Sequence, residues 1–413
     1  MYIANCRIRG REGLWNVACE NGKFDRIRPA DGIIPEGATD AKERLLMPPF
    51  VEPHIHLDCV MTAGIPHYNM SGTLFEGIST WHEYKTTQPL LIPEIKDRAR
   101  QALRLMAEHG VQFVRTHVDV TETSFQSAKA LLELRDELKG ILELQLVAFP
   151  QNGILSTVGG KDLMIRAMDM GFDCVGGIPH FEFCREYGVE SLDFIFALAE
   201  KYDAMVDVHC DEMDDEQSRY LEVLATKAWE RSLGPRTVAA HTCAMGSYNN
   251  AYTTKLFRAL LESKINFNSC PTESVHLQGR AENYPKRRGV TRIRELTEAG
   301  MNVALGQDSI ADPWYPIGVG DLLRVLEMGI HIEHLMGYKD LSKCLDFISQ
   351  NGAKNLCIED VYGIEEGKPA NFILLDGKDD YDVVRFHSAV VLSVHNGEIL
   401  SQKTPATAVV HNI

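Results

Sequence analysis

The sequence lacks the signatures of a membrane, secreted or disulfide-rich protein. No apolar run approaches the roughly 18 residues that cross a bilayer, and the first residues show no basic segment followed by an apolar one. The ten cysteines include no CxxC pair, which favours reduced thiols over a disulfide framework. These absences lead us to expect a cytoplasmic protein.

Positive charge is also scarce, since 58 acidic residues outnumber 42 Lys and Arg and leave a formal charge of −16. Such a surface repels phosphate backbones and anionic lipids. Nucleic acid and membrane are therefore poor partners, and a neutral small molecule is a better one. The basic stretch 285–289 is too short to change this expectation, and we expect it to form a solvated or subunit-facing loop.

No GxGxxG motif follows the first strand, which argues against a dinucleotide-binding fold. Segment 48–359 instead alternates short apolar strands with amphipathic helices, a pattern that predicts a parallel sheet. Eight such units favour an α/β fold of the closed (β/α)₈ TIM-like type over an open doubly wound sheet. Strands should end near His56, His117, Pro150, His180, His209, His241, Cys270 and Asp308. Helices are expected over 95–108, 127–138, 192–201, 216–231, 254–263 and 292–299.

The two ends of the chain look like parts of one small β domain. Both carry short apolar runs, with Asn-Gly pairs at positions 21–22 and 396–397. Asn-Gly between β-rich runs is a strong hairpin signal. We therefore expect segments 1–47 and 360–413 to form a β-sandwich beside a barrel made from 48–359.

Chemically active side chains collect where the barrel strands are expected to end, which is where active sites of this fold lie. Five of the eight strands should end in histidine, and the last should end in Asp308. One such histidine is usually a structural residue. Several of them converging on one barrel mouth indicate a functional site.

Four of these side chains suit a metal ion. His54 and His56 are two residues apart on one strand, so both imidazoles can face the barrel axis. His209 is the natural third ligand and Asp308 a fourth. Three imidazoles and a carboxylate suit Zn²⁺ or Fe²⁺, with a position left for water. Such an ion lowers the pKa of water from 15.7 towards about 7.

Expulsion of an amine also needs a group that moves protons. Glu212 lies three residues beyond His209, on the loop that leaves the same strand, and is well placed for this role. Without a metal ligand next to it, Glu212 would be interpreted as one of several solvated loop acids. His241 ends the following strand and could hold or polarise the attacking water.

This arrangement resembles the amidohydrolase superfamily, and within it the bacterial cytosine deaminases. The resemblance covers nearly the whole chain and rests on long motifs. These are PPFVEPHIHLD, SGTLFEGI, VAFPQNGI, GGIPHFEF, VHCDEMDDEQSRY, HLQGR, YPKRRG, DPWYP and LMGY.

The resemblance implies one divalent ion, Fe²⁺ or Zn²⁺, bound by His54, His56, His209 and Asp308. It also implies that His241 and Asp308 bind and activate the hydrolytic water. Glu212 would carry a proton to ring N3. Relatives with two metals use a carboxylated lysine on strand four. That strand has no lysine here, which favours a single ion.

The resemblance further implies a pocket for a free pyrimidine base. Gln151 would read the carbonyl and neighbouring N–H of the ring, because its amide both donates and accepts. Trp314 would wall the pocket, with Leu74 and Phe149 packing against the ring. Relatives also lead us to expect a homo-oligomer.

Two departures from the cytosine deaminases bear on the substrate. Where they carry two consecutive aspartates, this chain has Asp308 followed by Ser309, and segment 269–274 also differs. In those relatives the second aspartate lies near C5 of the pyrimidine. A smaller, uncharged Ser309 should admit a C5 methyl group, so we expect 5-methylcytosine to be deaminated to thymine as well as cytosine to uracil. A cytosine-only enzyme, or a deaminase of another oxo-amino base such as isoguanine, stays open.

Three other functions are less favoured. Opening of a ring amide, as in dihydroorotase- or hydantoinase-like relatives, fits neither the missing lysine nor the position of Glu212. The separate zinc deaminase class requires a P-C-x-x-C motif, which the sequence does not contain. A barrel that has lost catalysis would not be expected to keep four ligands and a proton shuttle.

Overall fold

The computed structural model describes residues 1–284, 286–404 and 409–411. In these residues the strands are β1 (Tyr2–Ile8), β2 (Trp15–Glu20), β3 (Lys23–Pro29), β4 (Thr39–Asp40), β5 (Leu45–Met47), β6 (Phe50–Ile55), β7 (Val111–Asp119), β8 (Glu143–Phe149), β9 (Cys174–Gly177), β10 (Met205–Cys210), β11 (Thr237–His241), β12 (Asn266–Ser269), β13 (Val303–Leu305), β14 (Phe372–Leu375), β15 (Val390–His395) and β16 (Glu398–Gln402).

The helices are α1 (Leu74–Thr87), α2 (Ile92–Glu108), α3 (Gln126–Leu138), α4 (Gly160–Asp169), α5 (Arg185–Tyr202), α6 (Tyr220–Glu230), α7 (Asn250–Ser263), α8 (Pro271–Leu277), α9 (Ile293–Glu298), α10 (Leu322–Ile332), α11 (Tyr338–Leu341), α12 (Gln350–Asn355) and α13 (Asp380–Phe386). Short 3₁₀ helices cover Pro179–Phe181, Gly234–Arg236, Cys243–Ser247 and Cys344–Ile348.

The central sheet contains β6 to β13 in sequence order, and every neighbouring pair is parallel. Its first and last strands meet through a parallel bridge between Ile55 and Asp308. The Asp308 N–H donates to the His54 carbonyl at 2.9 Å, and the His56 N–H donates to the Asp308 carbonyl at 3.1 Å. These bonds close the sheet into the expected (β/α)₈ barrel.

Barrel closure also depends on a buried acid that the sequence-based interpretation did not single out. Glu52, on β6, accepts hydrogen bonds from the backbone N–H groups of His54, at 2.9 Å, and Gln307, at 3.0 Å. Burial raises the pKa of Glu52 to about 8. Gly306 makes this approach possible, because a Cβ there would lie 2.7 Å from Glu52 Oε1. The first and last strands are therefore tied together beneath the ends that carry the predicted ligands.

The two termini form one strongly bent sheet in the order β16-β15-β14-β5-β1-β2-β3, with β4 beside β1. Its two halves enclose a separate core in which the rings of Phe24 and Phe372 lie 6.0 Å apart. This is the predicted β domain built from both ends. Residues 405–408 and 412–413 of the predicted segment 360–413 lie outside the described residues.

The other face of this terminal sheet packs on the barrel. Side chains of Leu45, Met47, Ile373 and Val390 belong to the same apolar core as the barrel strands. The division into 1–47 with 360–413 and 48–359 stays a prediction. It is supported by the change of sheet between β5 and β6.

The six helices expected from periodicity are all present, with ends shifted by up to seven residues. Two strands end three residues before the predicted position, since the eighth ends at Leu305, before Asp308, and the fourth ends before His180. The fourth strand ends at Gly177, and His180 lies in the following 3₁₀ helix, where Pro179 lacks the N–H that a strand ladder needs. No helix in the described part of the chain is long and apolar enough to span a bilayer.

Candidate active site

A cavity of about 630 Å³, partly open to solvent, lies at the carboxyl ends of the barrel strands. All but one of the residues predicted to form the site contribute to its wall. The exception is His54, which lies fully buried beside the cavity floor. The predicted residues that line the cavity are His56, Leu74, Phe149, Gln151, His209, Glu212, His241, Asp308, Ser309 and Trp314.

The four predicted metal ligands bring their donor atoms together. His56 Nε2 lies 3.1 Å from His209 Nε2, and Asp308 Oδ1 lies 3.4 Å from His54 Nε2 and 3.5 Å from His56 Nε2. Ligands at about 2.1 Å around a tetrahedral ion are separated by roughly 3.4 Å. The spacing of these side chains therefore fits one divalent ion.

The chemistry of the imidazoles points the same way. Both ring nitrogens of His54 and Nδ1 of His209 are buried without a hydrogen-bond partner among the described residues. Burial lowers the pKa of His56 to about 4, and it lowers the pKa of His54 and His209 well below the usual value. Neutral imidazoles with free lone pairs are what a metal ion requires, and without one these buried polar atoms would be costly.

Other donors lie close enough to share the ion. Clusters with donor atoms within 4.8 Å combine His54 with His209 and His241, with His56 and His117, and with Cys270 and Asp308. The barrel centre is thus a histidine-rich site. The choice of four ligands among these residues stays a prediction.

His117 belongs to the barrel floor, where a buried ion pair supports it. Its ring lies 4.0 Å from that of His54, centre to centre, and its Nε2 lies 3.4 Å from Asp207 Oδ1. Arg115, also fully buried, donates from Nη1 to Asp207 Oδ2 at 3.0 Å. The Arg115–Asp207 pair therefore places a buried carboxylate next to the His117 ring.

Glu212 faces the same cavity from the loop after β10. Burial, and then the charge of Asp308, raises the pKa of Glu212 well above its ordinary value. Its Oε2 lies 4.0 Å from His241 Nε2, while His241 Nδ1 lies 3.7 Å from Asp308 Oδ2. A carboxyl group whose pKa is raised by burial beside a histidine-rich site is suited to general acid–base catalysis.

Apolar side chains bound the rest of the cavity. Phe149 stacks on the His209 ring at 4.1 Å, and Trp314 is held by Asp312 Oδ1, which accepts from its backbone N–H at 2.9 Å. Helix α1 packs directly on the indole, since a Cβ on Gly77 would lie 2.6 Å from Trp314 Cδ1. Leu74 begins this helix. A flat ring of modest size matches these surfaces.

Two carboxyl groups at the cavity wall were missed by sequence reasoning. The Ser309 hydroxyl lies beside the carboxyls of Glu273 and Asp312 and lowers their pKa values less than burial raises them. The pKa of Asp312 rises to about 7, and that of Glu273 rises well above its usual range. Glu273 lines the cavity together with Ser309, so this wall carries an acid that the sequence analysis did not single out.

Two further predictions from the sequence can be placed in the structure. His180 lines the cavity, and burial lowers its pKa to about 4. In the basic stretch 285–289, Pro285 lies outside the described residues, and the side chains at 286–288 are exposed.

Comparison with known proteins agrees with this geometry. Residues 37–401 match the model of an amidohydrolase family. The chain belongs to this amidohydrolase family. Members of the family generally use a divalent metal ion, and the histidine-rich site at the barrel centre is of that kind.

Among solved structures, this amidohydrolase is similar to 5-methylcytosine deaminase from Klebsiella pneumoniae liganded with 5-fluorocytosine. The two are 50% identical, 99% of each chain is covered, and the TM-score is 0.97. The same enzyme liganded with phosphonocytosine is 51% identical over 99% of this chain and 100% of that chain, with a TM-score of 0.97. N-isopropylammelide isopropyl amidohydrolase from Pseudomonas sp. (strain ADP) is 26% identical over 97% of this chain and 96% of its own.

The site geometry predicts one divalent ion per chain. We expect metal analysis of the purified protein to give one equivalent, and a chelator to abolish activity until metal is restored. His209→Asn should lose the ion, because it removes an imidazole from the cluster. His82→Asn is a matched control, since His82 is exposed on α1 and far from the ligands in sequence. Two ions per chain, or full metal content in His209→Asn, would contradict the assignment.

Proposed function

We propose that this amidohydrolase deaminates free cytosine-type bases at C4 by hydrolysis, converting 5-methylcytosine to thymine and cytosine to uracil with release of ammonia. One observation carries the proposal. The chain is 50% identical, over 99% of both chains, to a 5-methylcytosine deaminase liganded with 5-fluorocytosine. The cavity contains side chains suited to binding a metal ion, moving protons and holding a pyrimidine ring.

The ligand set we propose is His54, His56, His209 and Asp308, with one Fe²⁺ or Zn²⁺. A divalent ion in such a site acidifies water, so that a nucleophile is available at neutral pH. The absence of lysine in β9 supports a single ion over a pair.

Glu212 is proposed to move the protons. Addition of water oxygen to C4 breaks the C4=N3 double bond, and Glu212 delivers a proton to N3. A second proton then moves from the added hydroxyl group to the exocyclic amine. The bond between C4 and this amine breaks, which leaves a C4 carbonyl and ammonia. The raised pKa of Glu212 supports this role, because burial favours the protonated form that donates to N3. His241, beside both Glu212 and Asp308, is placed to hold the attacking water.

Gln151 is proposed to fix the orientation of the ring. Its amide lines the cavity beyond the end of β8 and offers both a donor and an acceptor to the C2 carbonyl and the adjacent N–H. Phe149, Leu74 and Trp314 then enclose the faces of the ring. Loss of such a polar pairing in a buried site costs discrimination on a scale of several powers of ten.

The wall beyond Asp308 supports the methylated base as a substrate. Ser309 is small, and the carboxyls of Glu273 and Asp312 beside it are driven towards the protonated form by burial. Burial disfavours the charged forms of these acids, which lessens the desolvation penalty that a methyl group would impose on a carboxylate. An aspartate at position 309 would add volume and a third acid to this cluster.

The reaction is proposed to take place in the cytoplasm. All ten cysteines are free thiols, and eight of them are buried, as expected for a protein made in a reducing compartment. A homo-oligomer stays a prediction.

Replacement of the proposed proton shuttle should slow the chemical step. Glu212→Gln keeps the shape of the side chain and removes its transferable proton, so kcat should fall by at least about 10² with metal content unchanged. Glu216→Gln is the matched control, because Glu216 is exposed on the same loop. Steady-state kinetics with 5-methylcytosine would measure both variants. Near-native kcat in Glu212→Gln would assign the proton transfer to another group.

Restoring an acid next to Asp308 should shift the substrate preference. We expect Ser309→Asp to lower the ratio of kcat/KM for 5-methylcytosine to that for cytosine by about 10–100-fold, since overpacking alone commonly costs about 1–3 kcal/mol. Ser309→Asn has the same size without the charge and separates the two causes. A native enzyme that strongly prefers cytosine, or a Ser309→Asp variant with an unchanged ratio, would show that position 309 does not set the preference.

A further inference from the structure

The end of strand β12 places a carboxyl group in the cavity that the deamination chemistry does not use. Glu273 lies in the first turn of α8, lines the cavity, and is only 4% exposed. Its Oε2 has no hydrogen-bond partner among the described residues. A buried oxygen of this kind is costly unless something pairs with it, and such exceptions in native proteins call for an explanation.

The position of Glu273 in the barrel decides what can pair with it. Gln151 follows β8, the third strand of the barrel, and Glu273 follows β12, the seventh. In a closed ring of eight strands, the third and seventh are diametrically opposite. The two side chains therefore bound the cavity from opposite sides, with the histidine cluster between and below them.

A six-membered ring held by Gln151 at its C2 carbonyl presents the opposite atom, C5, to the far wall. That wall is formed by Glu273 together with Ser309. A substituent on C5 therefore points at the unpaired oxygen of Glu273. A methyl group leaves that oxygen unpaired, whereas a group that carries one more polar atom can reach it.

We propose that Glu273 is a specificity-determining residue that hydrogen-bonds a polar C5 substituent, and that the enzyme also deaminates 5-hydroxymethylcytosine. This inference rests on the proposed function and extends its range of substrates. A hydroxymethyl group is one oxygen larger than a methyl group. Its hydroxyl donates and accepts, so it pairs with a carboxyl in either protonation state.

The chemistry at C4 is the same as for the other bases. Water oxygen adds at C4, the C4–N bond breaks, and the products are 5-hydroxymethyluracil and ammonia. The C5 hydroxyl takes no part in bond making or breaking. The Ser309 hydroxyl lies beside the carboxyls of both Glu273 and Asp312.

The test compares three bases in three metal-loaded proteins. The kcat/KM for cytosine, 5-methylcytosine and 5-hydroxymethylcytosine would be measured for the native enzyme, Glu273→Gln and Glu273→Leu. We expect the native enzyme to turn over the hydroxymethyl base within about tenfold of the methyl base. Glu273→Leu should lose at least about tenfold on the hydroxymethyl base alone, since it removes the hydrogen bond. Glu273→Gln keeps a donor and an acceptor and should retain most of the activity.

Several outcomes would overturn the inference. A native enzyme that deaminates 5-methylcytosine but not the hydroxymethyl base would do so, as would equal losses on both bases in Glu273→Leu. If Glu273→Leu fails to fold, the native comparison and the Glu273→Gln variant still decide the matter. Absence of activity on all three bases would refute the proposed function, and the inference would fall with it.

Discussion

The structure depends on the packing of several imidazoles around one point in a dry barrel. His54, His56, His117, His209 and His241 lie with ring centres about 4 to 5.5 Å apart, and burial keeps them neutral. Few of their nitrogens find a partner in the described protein. A cation that accepts their lone pairs would satisfy these buried nitrogens, so the candidate metal site and the barrel core are one feature.

Backbone closure brings the members of this cluster together. The ladder between Ile55 and Asp308 joins the two ends of the barrel sheet, and Glu52 reinforces the junction from inside. The first strand therefore delivers two imidazoles next to the carboxylate of the last strand. The other side chains of the site come from separate strand ends. Substitutions in the wall at Ser309 can therefore change the substrate preference without altering the predicted ligands.

Much of this arrangement was predictable from local sequence. The HxH pair, His209 with Glu212 and the aspartate at the final strand end are each visible as a short pattern, and eight strand–helix repeats place them at one barrel mouth. The motifs shared with a known family added Gln151 and Trp314. The β domain was predicted from the Asn-Gly pairs near both ends of the chain, which indicate hairpins.

What could not be predicted depends on contacts between strands. Glu273 resembles any acid in the first turn of a helix, and only the barrel places it beside Ser309. Glu52 acts through backbone groups of a strand about 250 residues away, which no local pattern records. His180 was assigned to a strand because its sequence is apolar up to that point, although Pro179 ends the strand ladder earlier. Pairing across the barrel is information that only the folded chain contains.

The central claim is that one ion and one ring orientation, with C2 at Gln151 and C5 at the Ser309 wall, account for the activity. A crystal structure of the metal-loaded protein with a non-hydrolysable cytosine analogue tests it most directly. The account predicts a single anomalous-scattering peak among His54, His56, His209 and Asp308, with C5 facing position 309. Two metal peaks, or a ring turned so that C5 faces Gln151, would contradict it.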